Sequence, residues 1–189
     1  FAAALRTFLR QDSEIILVGE IRDKETGNIA VEAALTGHLV LSTLHTNDSV
    51  NTITRLVNMG IPNYLVSSSV SLVIAQRLAR KNCESCKTKD IDVKPYTLEQ
   101  LGIKEKITVY KGKGCAKCNN TGFKGRRGIY EILKITPKIQ DAILKNKTAP
   151  EIMEIAKSEG YRPMQEVGAD YLKSGDLAFE EFQRTLFVG

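Results

Sequence analysis

Residues 15–23 read Ile15-Ile16-Leu17-Val18-Gly19-Glu20-Ile21-Arg22-Asp23: an unbroken apolar run, a glycine, and three charges within four positions. The apolar run predicts a short strand buried on both faces, as in a parallel sheet. Behind it, Asp23 can cap a helix through the Ala-rich residues 29–35, and Gly37 ends that helix. Leu39-Val40-Leu41 opens a second strand, running to about Leu44. Asn47 or Asp48 then caps a helix with Val50, Ile53, Leu56 and Val57 at helical spacing, and Gly60 and Pro62 stop it. Upstream, residues 2–10 predict a helix with Leu5, Phe8 and Leu9 on one side. Strand and helix alternating at this spacing predict a parallel α/β sheet.

In such sheets ligands sit outside the carboxyl ends of the strands, where Glu20 falls. A carboxylate there can orient or deprotonate a water and reach magnesium through water. An acid after a strand is more often a helix cap or a solvated turn. Two features favour the chemical reading. Glu20, Arg22 and Asp23 crowd more charge behind the strand than a turn requires. The second strand also runs from its apolar middle into Ser42-Thr43-Leu44-His45-Thr46-Asn47-Asp48, and both histidines, His38 and His45, lie in this segment. His45, among hydroxyls and amides beside a candidate acid, reads as a phosphate sensor or proton relay.

All four cysteines fall in two C-x-x-C pairs, Cys83/Cys86 and Cys115/Cys118, with 28 residues between them. Two intervening residues let a tight turn aim both sulfurs at one point, and two such knuckles complete a tetrahedral thiolate shell for structural zinc. Four thiolates leave no open position for catalytic water. Two disulfides or unrelated buried thiols are the bland alternatives, the disulfides disfavoured in a chain without an export signal. Arg80, Lys81, Lys87, Lys113 and Lys117 are expected to offset the negative charge of the cluster.

The chain has 189 residues and a net charge of +5. Residues 77–127 hold fourteen Lys or Arg against five Asp or Glu, a local +9, so the remainder carries −4. That shift marks a separate module. It also raises a rival reading, a zinc-ribbon nucleic-acid-binding module, weakened by the scarcity of aromatics there beyond Tyr96, Tyr110 and Phe123. No signal peptide is legible, and no apolar stretch reaches the roughly 20 residues of a membrane span. We therefore expect a cytosolic protein with at most peripheral membrane association. Residues 64–79 predict a further helix. Beyond Pro137, apolar spacing predicts helices around Ile139 and Ile143, Ile152 and Ile155, Val167 and Tyr171, and Phe179 and Phe182. Beginning at Phe1 in a helical stretch, the chain is expected to be a piece of a longer one.

Leu9-Arg10-Gln11-Asp12-Ser13-Glu14-Ile15 through Gly19-Glu20-Ile21-Arg22-Asp23 resembles the Walker B region of the type II/IV secretion ATPases. Residues 37–48 are similar to that family's histidine box, and Ala75-Gln76-Arg77-Leu78-Ala79-Arg80 to the stretch before its tetracysteine motif. The resemblance implies part of a RecA-like P-loop NTPase core with an inserted zinc arm and a helical C-terminal region. The divisions are 1–60 for the core, 61–80 for a helical connector, 81–130 for the tetracysteine arm and 131–189 for the helical region. It implies Glu20 as catalytic carboxylate, His45 as a responder to the γ-phosphate, Arg22 and Thr43 as nucleotide-facing, and Cys83, Cys86, Cys115 and Cys118 as zinc ligands. It further implies ATP and Mg2+ in the full-length protein, a homo-hexamer, inner-membrane secretion or pilus platform partners rather than nucleic acid, and a place on the cytoplasmic face of that membrane. Two departures stand out. Ser13-Glu14 replaces the family's usual Pro-Asp, and no G-x-x-x-x-G-K-[ST] loop occurs among the 189 residues. The family carries that loop upstream, so the isolated chain is expected to be inactive.

Overall fold

In the computed structural model, Thr7, Gln11 and residues 13–187 are described. The helix expected over residues 2–10 lies, Thr7 aside, outside them. Strands β1 (Ile15–Val18) and β2 (Leu39–Ser42) pair in parallel, Ile15 opposite Leu39 and Val18 opposite Ser42. Between them runs α1 (Lys24–Leu35), where Asp23 Oδ1 accepts the Thr26 N–H at 2.8 Å. That bond, joined by the Thr26 hydroxyl, holds the Asp23 carboxyl below its ordinary pKa. Gly37, at φ +102°, turns the chain out of α1 toward β2, a conformation glycine adopts without a Cβ penalty. Asp48 likewise caps α2 (Ser49–Asn58), accepting the Asn51 N–H at 2.7 Å, and α3 (Asn63–Ser69) follows Pro62.

The two strands are buried on one face only. Ile16 and Val18 pack with Ile21, Ile29, Ala30 and Ala33 beneath α1, whereas Ile15 and Leu17 are 61% and 75% exposed and Leu39 and Leu41 about half exposed. The expectation of burial on both faces is corrected: among the described residues a helix layer covers one side of this small sheet.

A second correction concerns residues 64–79. The helix stops at Ser69, and Leu72–Asn82 is a strand, β3, paired with β6 (Phe123–Lys134). The hydroxyls of Ser67, Ser68 and Ser69 donate back to the Tyr64 and Leu65 carbonyls, a pattern that bends and slightly destabilises a helix. Val70 is already extended, and Leu72, Ile74, Gln76, Leu78 and Arg80 alternate outward at the period of a strand.

The chain divides into two units, and β3 and β6 each contribute residues to both. The first comprises residues up to 75 and Ile132–Tyr161. It adds α5 and α6, which follow the short α4 (Pro95–Gln100) of the other unit: α5 is Pro137–Leu144 and α6 is Ala149–Ser158. Their apolar faces, with Ile139, Ile143 and Ile152, join Val50, Ile53, Ile61 and Val66 in its main core. Deep within it the Ser49 and Tyr161 hydroxyls meet at 2.9 Å.

The second unit, Gln76–Glu131 with Arg162–Gly189, holds β4 (Lys87–Lys89), α4, β5 (Tyr110–Gly112), α7 (Met164–Lys173) and α8 (Phe179–Leu186). Leu98, Ile103, Val109, Leu172 and Phe182 form its core. Both pairs of C-terminal helices thus form where the apolar spacing placed them. The mixed architecture and the parallel pairing agree with the expected α/β class, with a parallel sheet of two strands. No helix among the described residues is long and apolar enough to cross a membrane.

Glu181, fully buried on α8, organises the second unit. It accepts the Arg80 backbone N–H at 2.7 Å, the Arg80 guanidinium at 2.8 and 3.0 Å, and the Arg184 guanidinium at 2.6 Å. Burial alone would push its carboxyl up, but Arg184 and Arg80 bring it down to about 2. Because the folded value lies below the ordinary 4.5, this stabilisation is full above pH ~4.5 and fades as pH falls toward 2. Glu181→Gln should cost about 3 kcal/mol in urea unfolding at pH 7. The gap between the two proteins should narrow as the measurement moves from pH 5 to pH 3; a gap independent of pH would contradict this account.

Candidate carboxylate site and four-cysteine site

β1 ends at Val18 and β2 at Ser42, side by side, so Gly19-Glu20 and Thr43-Leu44-His45 emerge together. The backbone continues the pairing there: Ile21 N donates to Thr43 O at 3.0 Å, and the Thr43 hydroxyl donates to Gly19 O at 2.7 Å. Thr43, expected to face nucleotide, thus has its hydroxyl engaged in holding the two strand ends together. Ile21 is buried in the α1 core, while the side chain of Glu20 is partly and that of Arg22 largely exposed.

The carboxylate of Glu20 is gripped on both oxygens. Arg22 Nε donates to Oε2 at 2.6 Å, and His45 Nε2 lies 2.8 Å from Oε1. The Glu20 side chain is 21% exposed, while Arg22 and His45 are 76% and 87% exposed. Beyond His45, Thr46 bonds to Thr52 of α2 at 2.8 Å and fixes the loop. Three of the sequence-predicted residues therefore converge on one open, polar spot. His38 does not join them; its Nδ1 lies 3.0 Å from Ala33 O at the end of α1.

The cysteines converge within the second unit. The first knuckle follows β3, closed by Cys86 N donating to Cys83 O at 3.1 Å. The second wraps a short 3-10 turn, Ala116–Cys118, followed by Asn119 and Asn120 at φ +52° and +60°. Those left-handed asparagines shape the knuckle and were not picked out from sequence, although Asn-Asn-Thr-Gly is a turn signal. Antiparallel pairing of β4 with β5 brings the two knuckles together. Gly112 and Gly122 allow the closest approach: a Cβ on Gly112 would sit 2.0 Å from the Gly122 carbonyl oxygen. Cys83 N also donates to that oxygen at 2.8 Å, and Lys113 N to Cys86 O at 3.1 Å.

The sulfurs lie 3.9 Å (Cys83–Cys115), 3.9 Å (Cys86–Cys118) and 3.8 Å (Cys115–Cys118) apart, all four within 4.8 Å of one another. A tetrahedron of sulfurs at about 2.3 Å from a metal has edges of about 3.8 Å, so the donor set fits a metal ion. Disulfide bonding needs sulfurs about 2 Å apart, and all four thiols are free. Cys118 Sγ accepts the N–H groups of Cys115 and Gly122 at 3.2 and 3.3 Å. Burial would raise its pKa, yet these donors bring it down to about 6. Burial pushes Cys86 the other way, to about 11, against the backbone N–H of Gly114.

Of the basic residues expected to balance the cluster, three are engaged by acids instead: Arg80 by Glu181, Lys81 by Asp176 and Lys87 by Glu84. Arg80 also stacks over Phe123 at 4.1 Å. The contacts to Glu181 and Asp176, about a hundred residues on, were invisible to a reading of neighbours in sequence.

The profile of the type II/IV secretion system protein family matches residues 1–184. Over 185 residues the chain is 48% identical to the type IV pilus assembly ATPase PilB of Thermus thermophilus, covering 96% of this chain and 21% of that protein. PilB of Pseudomonas aeruginosa is 47% identical over 188 residues, with 97% and 33% covered. The type II secretion system ATPase E of Vibrio cholerae is 42% identical over 185 residues, with 97% and 37% covered. The chain thus spans well under half the length of these relatives. Among solved structures, the pilus retraction motor PilT with bound ADP superimposes with a TM-score of 0.67 at 27% identity, over 97% of this chain and 42% of that one. The Legionella pneumophila ATPase DotB shares the fold, with a TM-score of 0.64 at 22% identity over 96% and 41% of the two chains.

Proposed function

Since the chain belongs to the type II/IV secretion system protein family, we propose that it forms the water-activating side of the ATP site in a motor that powers type II secretion or type IV pilus assembly. The observation that carries this reading is the Glu20 carboxylate at a parallel strand end, with Arg22 at 2.6 Å and His45 at 2.8 Å. Glu20 takes the proton of the attacking water and orients it. His45 responds to the terminal phosphate, and Thr43 fixes the strand ends that carry both. Magnesium, when bound, neutralises charge on the phosphates. The phosphate loop comes from the upstream part of the longer protein, so the isolated chain neither binds ATP tightly nor turns it over.

The longer protein works as a homo-hexamer on the cytoplasmic face of the inner membrane, against secretion or pilus platform proteins. The exposed Ile15, Leu17, Leu39 and Leu41 support a core completed by further layers, because an open apolar sheet face gains stability when covered. Zinc, held by Cys83, Cys86, Cys115 and Cys118, closes the arm in a structural role. The nucleic-acid reading is less well supported. Lys81 and Arg127 pair with Asp176, and Arg80 with Glu181, acids outside residues 77–127, which spends part of the basic excess there.

Protein prepared without chelator should contain one zinc per chain by elemental analysis. Chelation should raise amide exchange in residues 83–122 while leaving α5 and α6 protected. Absence of metal with free thiols intact would rule the zinc assignment out. In the full-length ATPase, Glu20→Gln should lower turnover by roughly 100-fold or more while ATP affinity stays within about tenfold. His45→Ala should be milder, since water can partly replace a sensor. Equilibrium binding beside steady-state hydrolysis checks both; turnover near wild type in Glu20→Gln would make Glu20 a turn residue.

A further inference from the structure

We propose that Arg22 is a positioning residue that guards Glu20: it rests on the carboxylate while the nucleotide site is empty and transfers to the terminal phosphate of ATP when the site fills. The proposal rests on the reading of Glu20 as the water-activating carboxylate. Each Glu20 oxygen already accepts or meets one side chain, Arg22 on Oε2 and His45 on Oε1. With one nitrogen on each oxygen, the carboxylate keeps about two of its four acceptor positions for a water. Loosening one contact widens the directions from which Glu20 can hold the attacking water.

Permanent charge marks Arg22 as the one a phosphate draws: the guanidinium is always cationic, while His45, 87% exposed, is held no more tightly. The backbone on either side of Arg22 is anchored, by Ile21 N on Thr43 O and by Asp23 capping α1. Its guanidinium, in contrast, sits on a side chain that is 76% exposed, held by one neighbour two residues away rather than by packing. An exposed ion pair of this kind is weak and easily exchanged. The terminal phosphate of ATP is a stronger rival for it, because it carries more charge and presents two oxygens to the guanidinium fork. ADP lacks that group, so only ATP can draw Arg22 away. The empty site thereby keeps its base occupied, and the arrival of the complete substrate frees it.

The consequence is a coupling between two residues that binding can read. In the empty protein the Glu20–Arg22 pair withholds Arg22 from phosphate, which reduces apparent affinity. The test uses full-length protein with magnesium and compares wild type, Glu20→Gln, Arg22→Gln and the double variant. Equilibrium binding is measured for a non-hydrolysable ATP analogue and for ADP. Glu20→Gln should tighten the analogue about three- to fivefold, the scale an exposed ion pair can withhold. In the Arg22→Gln background the same change should shift affinity less than twofold, and ADP affinity should not respond to it in either background. An equal gain in both backgrounds overturns the proposal, since it would reflect only relief of repulsion between Glu20 and phosphate. A gain that extends to ADP, or no gain at all, overturns it too. Failure of the wild-type protein to bind the analogue would instead remove the ATPase reading on which the proposal stands.

Discussion

Parallel pairing of β1 with β2 delivers two carboxyl ends to one edge, and the polar chemistry of the first unit depends on that register. Ile15 opposite Leu39 puts Gly19 next to Thr43, where a backbone bond and a hydroxyl bond lock the exits of both strands. A slip of one residue would move His45 about 3.3 Å along the strand and turn its side chain to the opposite face. The same slip in β1 would expose Ile16 and Val18 and bury Ile15 and Leu17 beneath α1. Core packing therefore enforces the register, and the register brings Glu20 to His45. Hydrophobic burial some residues away sets a distance between two polar groups.

Much of this was legible because it is local. Asp23 and Asp48 cap the helices their positions predict, since capping needs only a carboxylate at the turn before a helix. Apolar residues three and four apart placed all four C-terminal helices, whose one-sided burial is written in that spacing. The cysteine pairs were legible for the same reason, two residues being the span of one turn. What failed was non-local. Residues 64–79 hold apolar side chains compatible with a helix or a strand, and the choice was made by pairing with β6, more than forty residues away. Arg80 looked like a counter-ion for the thiolates because it is close in sequence, yet its partner is Glu181, a hundred residues on. Which faces of β1 and β2 are covered likewise depends on layers that strand composition cannot reveal.

The two sites differ in how much of themselves they contain. The cysteine site takes every donor from residues 83–118, with backbone bonds closing both knuckles and two glycines permitting their contact. A metal bound there would stabilise the same turns that create the site, coupling binding to local folding. The carboxylate site has no such closure. Its pieces are precisely where strand ends put them only in the sense of backbone; Arg22 and His45 are mostly in solvent.

That openness bears on how such a site could work. A carboxylate and a cationic donor in water attract each other weakly, because solvent screens them and competes for their hydrogen bonds. Transition-state charge is stabilised well only by dipoles fixed in a water-poor enclosure. On the proposed reading, then, the Glu20 edge needs a second surface to exclude solvent, and among the described residues Ile15, Leu17, Leu39 and Leu41 leave one face of β1 and β2 apolar and exposed. An open half-site has a further effect: its ion pairs stay weak enough to be exchanged when substrate arrives. If the edge were sealed before substrate entered, the Arg22–Glu20 contact would strengthen in the lower dielectric and resist exchange. Closure after binding, rather than before it, is the order that lets one arginine serve the carboxylate first and the phosphate second.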